Sequence, residues 1–484
     1  MKRLSMATAA HLLPYDRRKV TPGMVHLGVG AFHRAHVAAY VDSILPIEPS
    51  WGIIGASLRR ADTRLALKDQ DFLYTLVTRS AEDTETRIIG SLLDVLDARN
   101  QRAELLEAMT DPRVRIVSLT ITEKGYCHDP ATGKLDPQHA DIVHDIAHPE
   151  APISAPGLIV RALELRKSQG TPPFTIMSCD NLPANGATTA RIVLGFANLR
   201  STKLEAFVRE HVAFPSTMID RIVPATTDDD RKMVQSETGL EDAWPVVTEP
   251  FKQWVIEDCF NSGRPAFGSV GAELVDDVAP YELMKLRMLN GSHSTLAYLG
   301  YLAGYEYVSD VVTNQDFRSL AHRLMTLEAI PTLSMAAGDL ANYRDQLLHR
   351  FANPALKHRT WQIAMDGSQK LPQRLLGTIR DLLKAGIRPN YSALGVAAWM
   401  RYVTGEDENG KPIDVLDPLA ERMKSIASGA GRDAEGLVSG LLSVNEVFGK
   451  DLLQSAELKE LLIGYVSQLL TDGAKATVRR SIES

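Results

Sequence analysis

Short β-branched or apolar runs alternate with stretches of helical spacing through the first 280 residues, and this alternation constrains the fold more than any other feature. The runs are MVHLGVG at 24–30, WGIIGASL at 51–58, RIIGSLLDVL at 87–96, VRIVSLTIT at 114–122 and FTIMSCD at 174–180. Between them, stretches such as 158–168 and 188–199 repeat their apolar residues at helical intervals. That order predicts βαβ units and an α/β fold with a mostly parallel sheet covered on both faces. Beyond residue 280 the texture changes to long helical patterns at 284–303, 311–328, 371–386, 391–404, 418–428, 433–447 and 455–471. Two domains are expected, 1–280 and a mostly α-helical 281–484. Pro224 to Pro250 has few apolar anchors and reads as a connecting or edge region, and 406–412, EDENGKP, as a surface turn.

Gly28-Val29-Gly30 follows the apolar run Val25-His26-Leu27 and precedes a predicted helix from Phe32 to Ile44. A strand that delivers a tight glycine turn to a helix N-terminus gathers backbone N–H groups at one point, which suits a pyrophosphate. The full GxGxxG is absent, because His33 stands at the third position. About 20 residues on, an acidic side chain normally takes the adenosine ribose hydroxyls. Here the second run ends in Ser57-Leu58-Arg59-Arg60-Ala61-Asp62, so Asp62 suits NAD, while Arg59 or Arg60 suits the 2′-phosphate of NADP. Both cofactors stay open at this point.

In the second half, Lys285, Asn290 and His293 are candidates for the chemistry, although taken singly they also read as a solvated lysine, a helix-end asparagine and a structural histidine. On an α-helix, Asn290 and His293 lie roughly 140° and 80° from Lys285, so one broad face presents amine, amide and imidazole. Interconverting a carbinol and a ketone needs a base for the hydroxyl proton, a donor to the developing oxyanion, and an orienting group. A lysine acts as that base only where burial or a neighbouring positive charge favours its neutral form. Tyr281 and Lys285 also spell YxxxK, a short-chain dehydrogenase signature, but the glycines at 23, 28 and 30 do not supply the GxxxGxG of that class.

Composition excludes other classes. With 53 basic and 60 acidic residues the formal charge is −7, which gives no general drive toward a phosphate backbone, so a nucleic-acid partner is not expected. Cys127, Cys179 and Cys259 lie far apart with no CxxC pair, so neither a disulfide framework nor a structural zinc is expected. No stretch approaches the ~18–20 apolar residues that cross a bilayer. The N-terminal segment lacks the long apolar run of a leader, and a cytoplasmic protein, monomeric or a small homo-oligomer, is the expectation.

Six segments together carry a family resemblance: GVGAFHRAH at 28–36, TITEKGY at 120–126, SCDNLPANG at 178–186, MIDRIVPAT at 218–226, PFKQWVIEDCF at 250–260 and MKLRMLNGSHS at 284–294. Over essentially its whole length the chain resembles the polyol-specific long-chain dehydrogenases. The resemblance implies a Rossmann-type dinucleotide-binding domain, a mostly helical C-terminal domain, and metal-independent hydride transfer in the cleft between them. It implies Lys285 as general acid/base, Asn290 and Asn181 as oxyanion donors, His293 as a substrate-positioning group, Glu282 as a proton relay and Asp220 as a substrate-side carboxylate. Gly28, Val29, Gly30 and Phe32, with Asp62 and Arg59, would face the cofactor, NAD in the first instance.

Within the family, 120–136 and 360–376 are most similar to the fructuronate reductase branch, which interconverts D-fructuronate and D-mannonate. A sugar acid needs a cationic partner for its carboxylate, and Arg359, Lys370 and Arg374 are available. Mannitol/fructose interconversion is the alternative reading. A non-catalytic dinucleotide sensor is the remote one, since it would need no Lys–Asn–His set.

Overall fold

The computed structural model describes residues 2–129 and 132–483. They form two compact units, Met1–Ala279 and Pro280–Ser484.

The first unit is built on five parallel strands, β1 (Pro22–Leu27), β2 (Gly52–Ser57), β3 (Leu92–Asp97), β4 (Ile116–Leu119) and β5 (Thr175–Ser178), in spatial order β3-β2-β1-β4-β5. That is the order of a Rossmann sheet, with β1 in the centre and the direction of winding reversing between β1 and β4. The side-chain period of two sends alternate residues of β1 to opposite faces. Val25 and Leu27 join Leu105, Leu158, Ile176 and Phe196 on one side, while Met24 joins Ile53, Ile116, Trp51 and Trp254 on the other. Each fully buried Leu, Ile or Val of this kind contributes about 1.5–3 kcal/mol. Ser154 caps the helix Ala155–Gln169 through the Gly157 amide, and Gly170 closes it in the left-handed conformation. Asn185–Arg200 is the next long helix.

Several expectations are corrected here. The run 87–96 is two strands: Gly90 and Ser91 divide it, and Thr84–Ile89 pairs with Tyr74–Arg79 outside the parallel sheet. The helix expected over 32–44 breaks at His36, whose φ and ψ are −121° and −88° and whose ring meets the Gln253 carbonyl and the Trp254 ring. The segment 224–250 follows its edge reading rather than its connecting one, since it supplies a helix and an outer strand of a three-stranded sheet. Thr227 and Asp230 form a capping box for the helix Asp228–Thr238, whose three leading aspartates complement the helix dipole, and Val246–Thr248 pairs with Leu76–Thr78. Thr217–Asp220 and Gln253–Glu257 pair antiparallel in a further small sheet.

The second unit is helical. Its interior is made by Gly291–Leu302 and Asn390–Tyr402, which bury nearly every residue, and Gly395 lets them approach: a Cβ there would lie 2.4 Å from Thr295 Oγ1. The pattern at 311–328 is divided between Val308–Thr313, Gln315–Arg323 and a π-helical turn. Ala337–Phe351 and Gly473–Glu483 are helices without counterparts in the patterns above. Among the described residues no helix is long and apolar enough to cross a membrane.

Candidate active site

In the first unit, a cavity of about 330 Å³ opens at the ends of β1, β2 and β4, where an open α/β sheet reverses its winding and binds ligands. It is lined by Gly28 to Ala31, Ser57 to Arg60, Asp62 and Thr120 to Thr122, among others. Gly28 has φ +95°, and a Cβ on it would sit 2.1 Å from the Thr120 carbonyl oxygen, so the turn requires glycine. Gly30 is different: a Cβ there would meet nothing within 4 Å. The protein's own packing does not exclude a side chain at 30, and the space fits close approach of a ligand backbone. Thr63 Oγ1 donates to the Val29 carbonyl at 2.9 Å and fixes the turn from below.

Of the residues expected at a cofactor, Gly28, Val29, Gly30, Arg59 and Asp62 line this cavity. Phe32 is not among its lining residues; it stacks on His36 with ring centroids 5.3 Å apart. Asp62 opens a short helix and pairs with Arg60 at 3.4 Å on an exposed rim. Arg34, Trp244, Ile121 and Gly125 line the cavity without having been singled out. A larger cleft of about 780 Å³ lies over the N-terminal segment, lined by Met6, Ala7, Ala10, His11 and Tyr15 to Arg18, and shares none of the glycine-turn residues.

Asn181 is exposed just beyond β5, and Asp220 is buried at the end of its strand, opposite Gln253. The neighbouring Arg221 is spent on the carbonyls of Glu249 and Ala35. Cys127, His139 and Asp141 place ligand-type atoms within 4.8 Å of one another. However, His139 Nδ1 accepts the Asp141 amide as a helix cap, which leaves the proton on the ring's other nitrogen.

In the second unit, Lys285–Asn290 is a π-helical turn: the Gly291 amide reaches back five residues to Leu286. Such turns concentrate at functional sites. The extra residue sets everything after it back by about one α-helical step, roughly 100°. Relative to Lys285, Asn290 therefore moves from roughly 140° to roughly 40°, and His293 from roughly 80° to roughly −20°. The three groups share a narrower face than an unbroken α-helix gives them. Arg287 anchors the turn, pairing with Asp381 at 2.6 Å and donating to the Thr332 carbonyl at 3.1 Å. Lys285 is 9% exposed and His293 6%, while Asn290 and Glu282 are half-buried.

His293 stacks on Phe351 at 5.3 Å and meets the edge of His358 at 4.7 Å. Burial, then the neighbouring His358, Arg374, Arg350 and Lys370, holds its imidazole well below the ordinary range. Lys370 and Arg374 thus lie in the electrostatic surroundings of His293. Arg374 Nη1 donates to Ser294 Oγ at 3.0 Å, and a Cβ on Gly291 would lie 2.8 Å from the Arg374 carbonyl. Lys370 Nζ donates to the Met365 carbonyl at 2.5 Å. Arg359 pairs with Glu306 at 3.3 Å. Arg350, Phe351 and His358 belong to the surroundings of His293, and nothing in their local sequence marks them.

Burial, with the Lys370 charge beside it, lowers His358 to about 4. Below pH 6.5 the unfolded chain takes a proton that the folded ring refuses until about pH 4, so stability falls as pH falls through this window. By pH 4.5 the loss is about 2 kcal/mol. Urea unfolding of His358→Phe should show a pH dependence shallower by that amount between 6.5 and 4.5. Parallel curves for variant and parent would refute the assignment.

Against known proteins, residues 22–269 match the mannitol dehydrogenase Rossmann domain and 277–470 the mannitol dehydrogenase C-terminal domain. The chain is 49% identical to D-mannonate oxidoreductase of Escherichia coli over 471 residues, 96% of each chain. It resembles the solved ternary complex of Pseudomonas fluorescens mannitol 2-dehydrogenase with NAD and D-mannitol (TM-score 0.89, 39% identity, 100% of both chains). A substrate-free D-sorbitol dehydrogenase is similar as well (TM-score 0.90, 34% identity, 99% of this chain and 100% of that one). With both family models matched in order across a Rossmann unit and a helical unit, the chain belongs to the mannitol dehydrogenase family of oxidoreductases.

Proposed function

We propose that the protein is an NAD-dependent sugar-acid dehydrogenase, reducing D-fructuronate to D-mannonate with NADH and running the reverse oxidation. The observation that carries the sugar-acid reading is Arg374 beside His293, its Nη1 donating to Ser294 Oγ at 3.0 Å. Arg350, Lys370 and Arg374 all act on that imidazole, and a substrate carboxylate is the group that such a set would neutralise. The 49% identity to a D-mannonate oxidoreductase supports the same choice. A polyol substrate is the second reading, supported by the likeness to an enzyme solved with D-mannitol.

The cavity at Gly28–Gly30 suits NAD, with the glycine amides at the pyrophosphate and Asp62 at the ribose. When bound, the nicotinamide supplies the hydride acceptor or donor. Lys285 Nζ takes the hydroxyl proton in oxidation and returns it to the carbonyl oxygen in reduction. Asn181 and Asn290 donate to that oxygen as negative charge develops on it. His293, kept neutral by its surroundings, orients the substrate by hydrogen bonding without competing with Lys285 for the proton. Glu282, in the turn before Lys285, passes the proton to solvent, and Asp220 holds a substrate hydroxyl.

Initial rates with fructuronate, fructose, mannonate, mannitol, arabinitol and sorbitol, each with both nicotinamide cofactors, test the proposal. Fructose preferred over fructuronate would sink it. Arg374→Ala should cut kcat/KM for the sugar acid about 10–100-fold, as expected for one charge-assisted hydrogen bond, and leave polyol rates within a few-fold.

A further inference from the structure

The second loop of the cofactor cavity is held in an unfavourable shape. Thr122, which lines the cavity, has φ 62° and ψ 163°, a region that belongs to glycine and that a β-branched residue enters at a cost. The group that keeps it there is the Asp180 carboxylate. Its Oδ1 accepts the Thr122 amide at 3.0 Å, and its Oδ2 accepts the Ile121 amide at 2.9 Å and the Tyr126 hydroxyl at 2.8 Å. Tyr126 Oη is in turn 2.6 Å from Ser178 Oγ.

The same residue is fixed through its backbone. Asn185 Nδ2 donates to the Asp180 carbonyl at 3.0 Å and to the Thr217 carbonyl at 2.8 Å, and Asn185 Oδ1 accepts the Thr217 amide at 2.9 Å. Asp180 therefore ties three things together: the cavity wall at Thr120–Thr122, the adjacent Asn181, and the strand from Thr217 that ends in Asp220. The wall also meets the glycine turn directly, since Thr120 Oγ1 donates to the Gly28 carbonyl at 2.7 Å.

We propose that Asp180 is the positioning residue of this enzyme, setting the cofactor wall and the oxyanion asparagine Asn181 in register through one carboxylate. The inference rests on the functional reading above for the role of Asn181. A carboxylate is needed because three donors converge on it. An asparagine of the same shape offers one acceptor oxygen and turns an amide N–H₂ toward donors. A purely structural anchor would lower stability when cut and leave the chemistry of the folded enzyme alone. A positioning residue changes cofactor affinity and the hydride step in molecules that remain folded.

The test uses the full-length enzyme and the variants Asp180→Asn, Tyr126→Phe and Thr122→Gly. NADH affinity is read by fluorescence, the hydride step by the isotope effect of C4-deuterated NADH on kcat, and folding by Tm. Asp180→Asn should weaken NADH about tenfold and lower kcat about 100-fold, the scale of a small misplacement, with a larger isotope effect than the parent. Tyr126→Phe, which removes one of the three donors, should fall between. Thr122→Gly relieves the backbone cost, so its Tm should hold or rise while turnover drops about tenfold. An Asp180→Asn enzyme with parental NADH affinity and isotope effect, whatever its Tm, overturns the proposal, as does a Thr122→Gly enzyme with parental turnover. If Asp180→Asn does not fold, the other two variants decide. If the parent turns over no substrate of the panel, the functional reading fails, while the NADH-affinity arms still test the hold of Asp180 on the cavity wall.

Discussion

Lys285→Ala should lower turnover about 10²–10⁴-fold, the usual contribution of a general acid/base, and leave NADH affinity within about twofold. Lys285 is 9% exposed and begins the π-helical turn, where its amine shares one face with Asn290 and His293. Lys285→Met, which keeps the aliphatic stem, separates loss of the base from loss of packing. Added primary alkylamines should restore part of the rate in Lys285→Ala. Tyr281→Phe is the contrasting case and should be nearly silent. If Tyr281→Phe is dead and Lys285→Ala active, the acid/base is the tyrosine, and the roles given to Asn290 and His293 fall with the lysine.

How much of this was legible in the sequence depends on the range of the forces involved. The parallel sheet was, because burial on both faces leaves uninterrupted apolar runs that need only local reading. The glycine turn was, because φ +95° at Gly28 can be met without strain only by that residue. The π-helical turn was not: a face drawn at a fixed 100° per residue assumes the α-helical bonds that Gly291 forgoes. The break at His36 was not either, since it is set by Gln253 and Trp254, more than 200 residues away. The surroundings of His293 show the same limit. Lys370 and Arg374 stand out in sequence as cations of the 360–376 segment, whereas Arg350 and Phe351 come from the end of the helix Ala337–Phe351 and His358 from the loop after it. Arg359, equally basic in sequence, is engaged by Glu306.

Two glycines of one turn should respond to the same substitution in opposite ways, and the contrast separates packing from ligand approach. Gly28→Ala forces a Cβ to within 2.1 Å of the Thr120 oxygen and 3.0 Å of Ile121 Cγ2, at a backbone angle that disfavours any side chain. Thr120 cannot yield easily, because its hydroxyl is bonded to the Gly28 carbonyl at 2.7 Å and to His26 Nε2 at 2.8 Å, and His26 is held by Ser118. The expected cost is at least about 3 kcal/mol, measured as a urea midpoint shift or as loss of soluble protein. Gly30→Ala adds a methyl group into open space at φ −103°, so its stability should change by less than about 1 kcal/mol. If the dinucleotide pyrophosphate lies against this turn, that methyl group occupies ligand space, and NADH should bind about 10–100-fold more weakly to a fully folded protein. A Gly30→Ala protein that binds NADH as tightly as the parent would place the pyrophosphate elsewhere, and the cofactor roles of Arg59 and Asp62 would have to move with it.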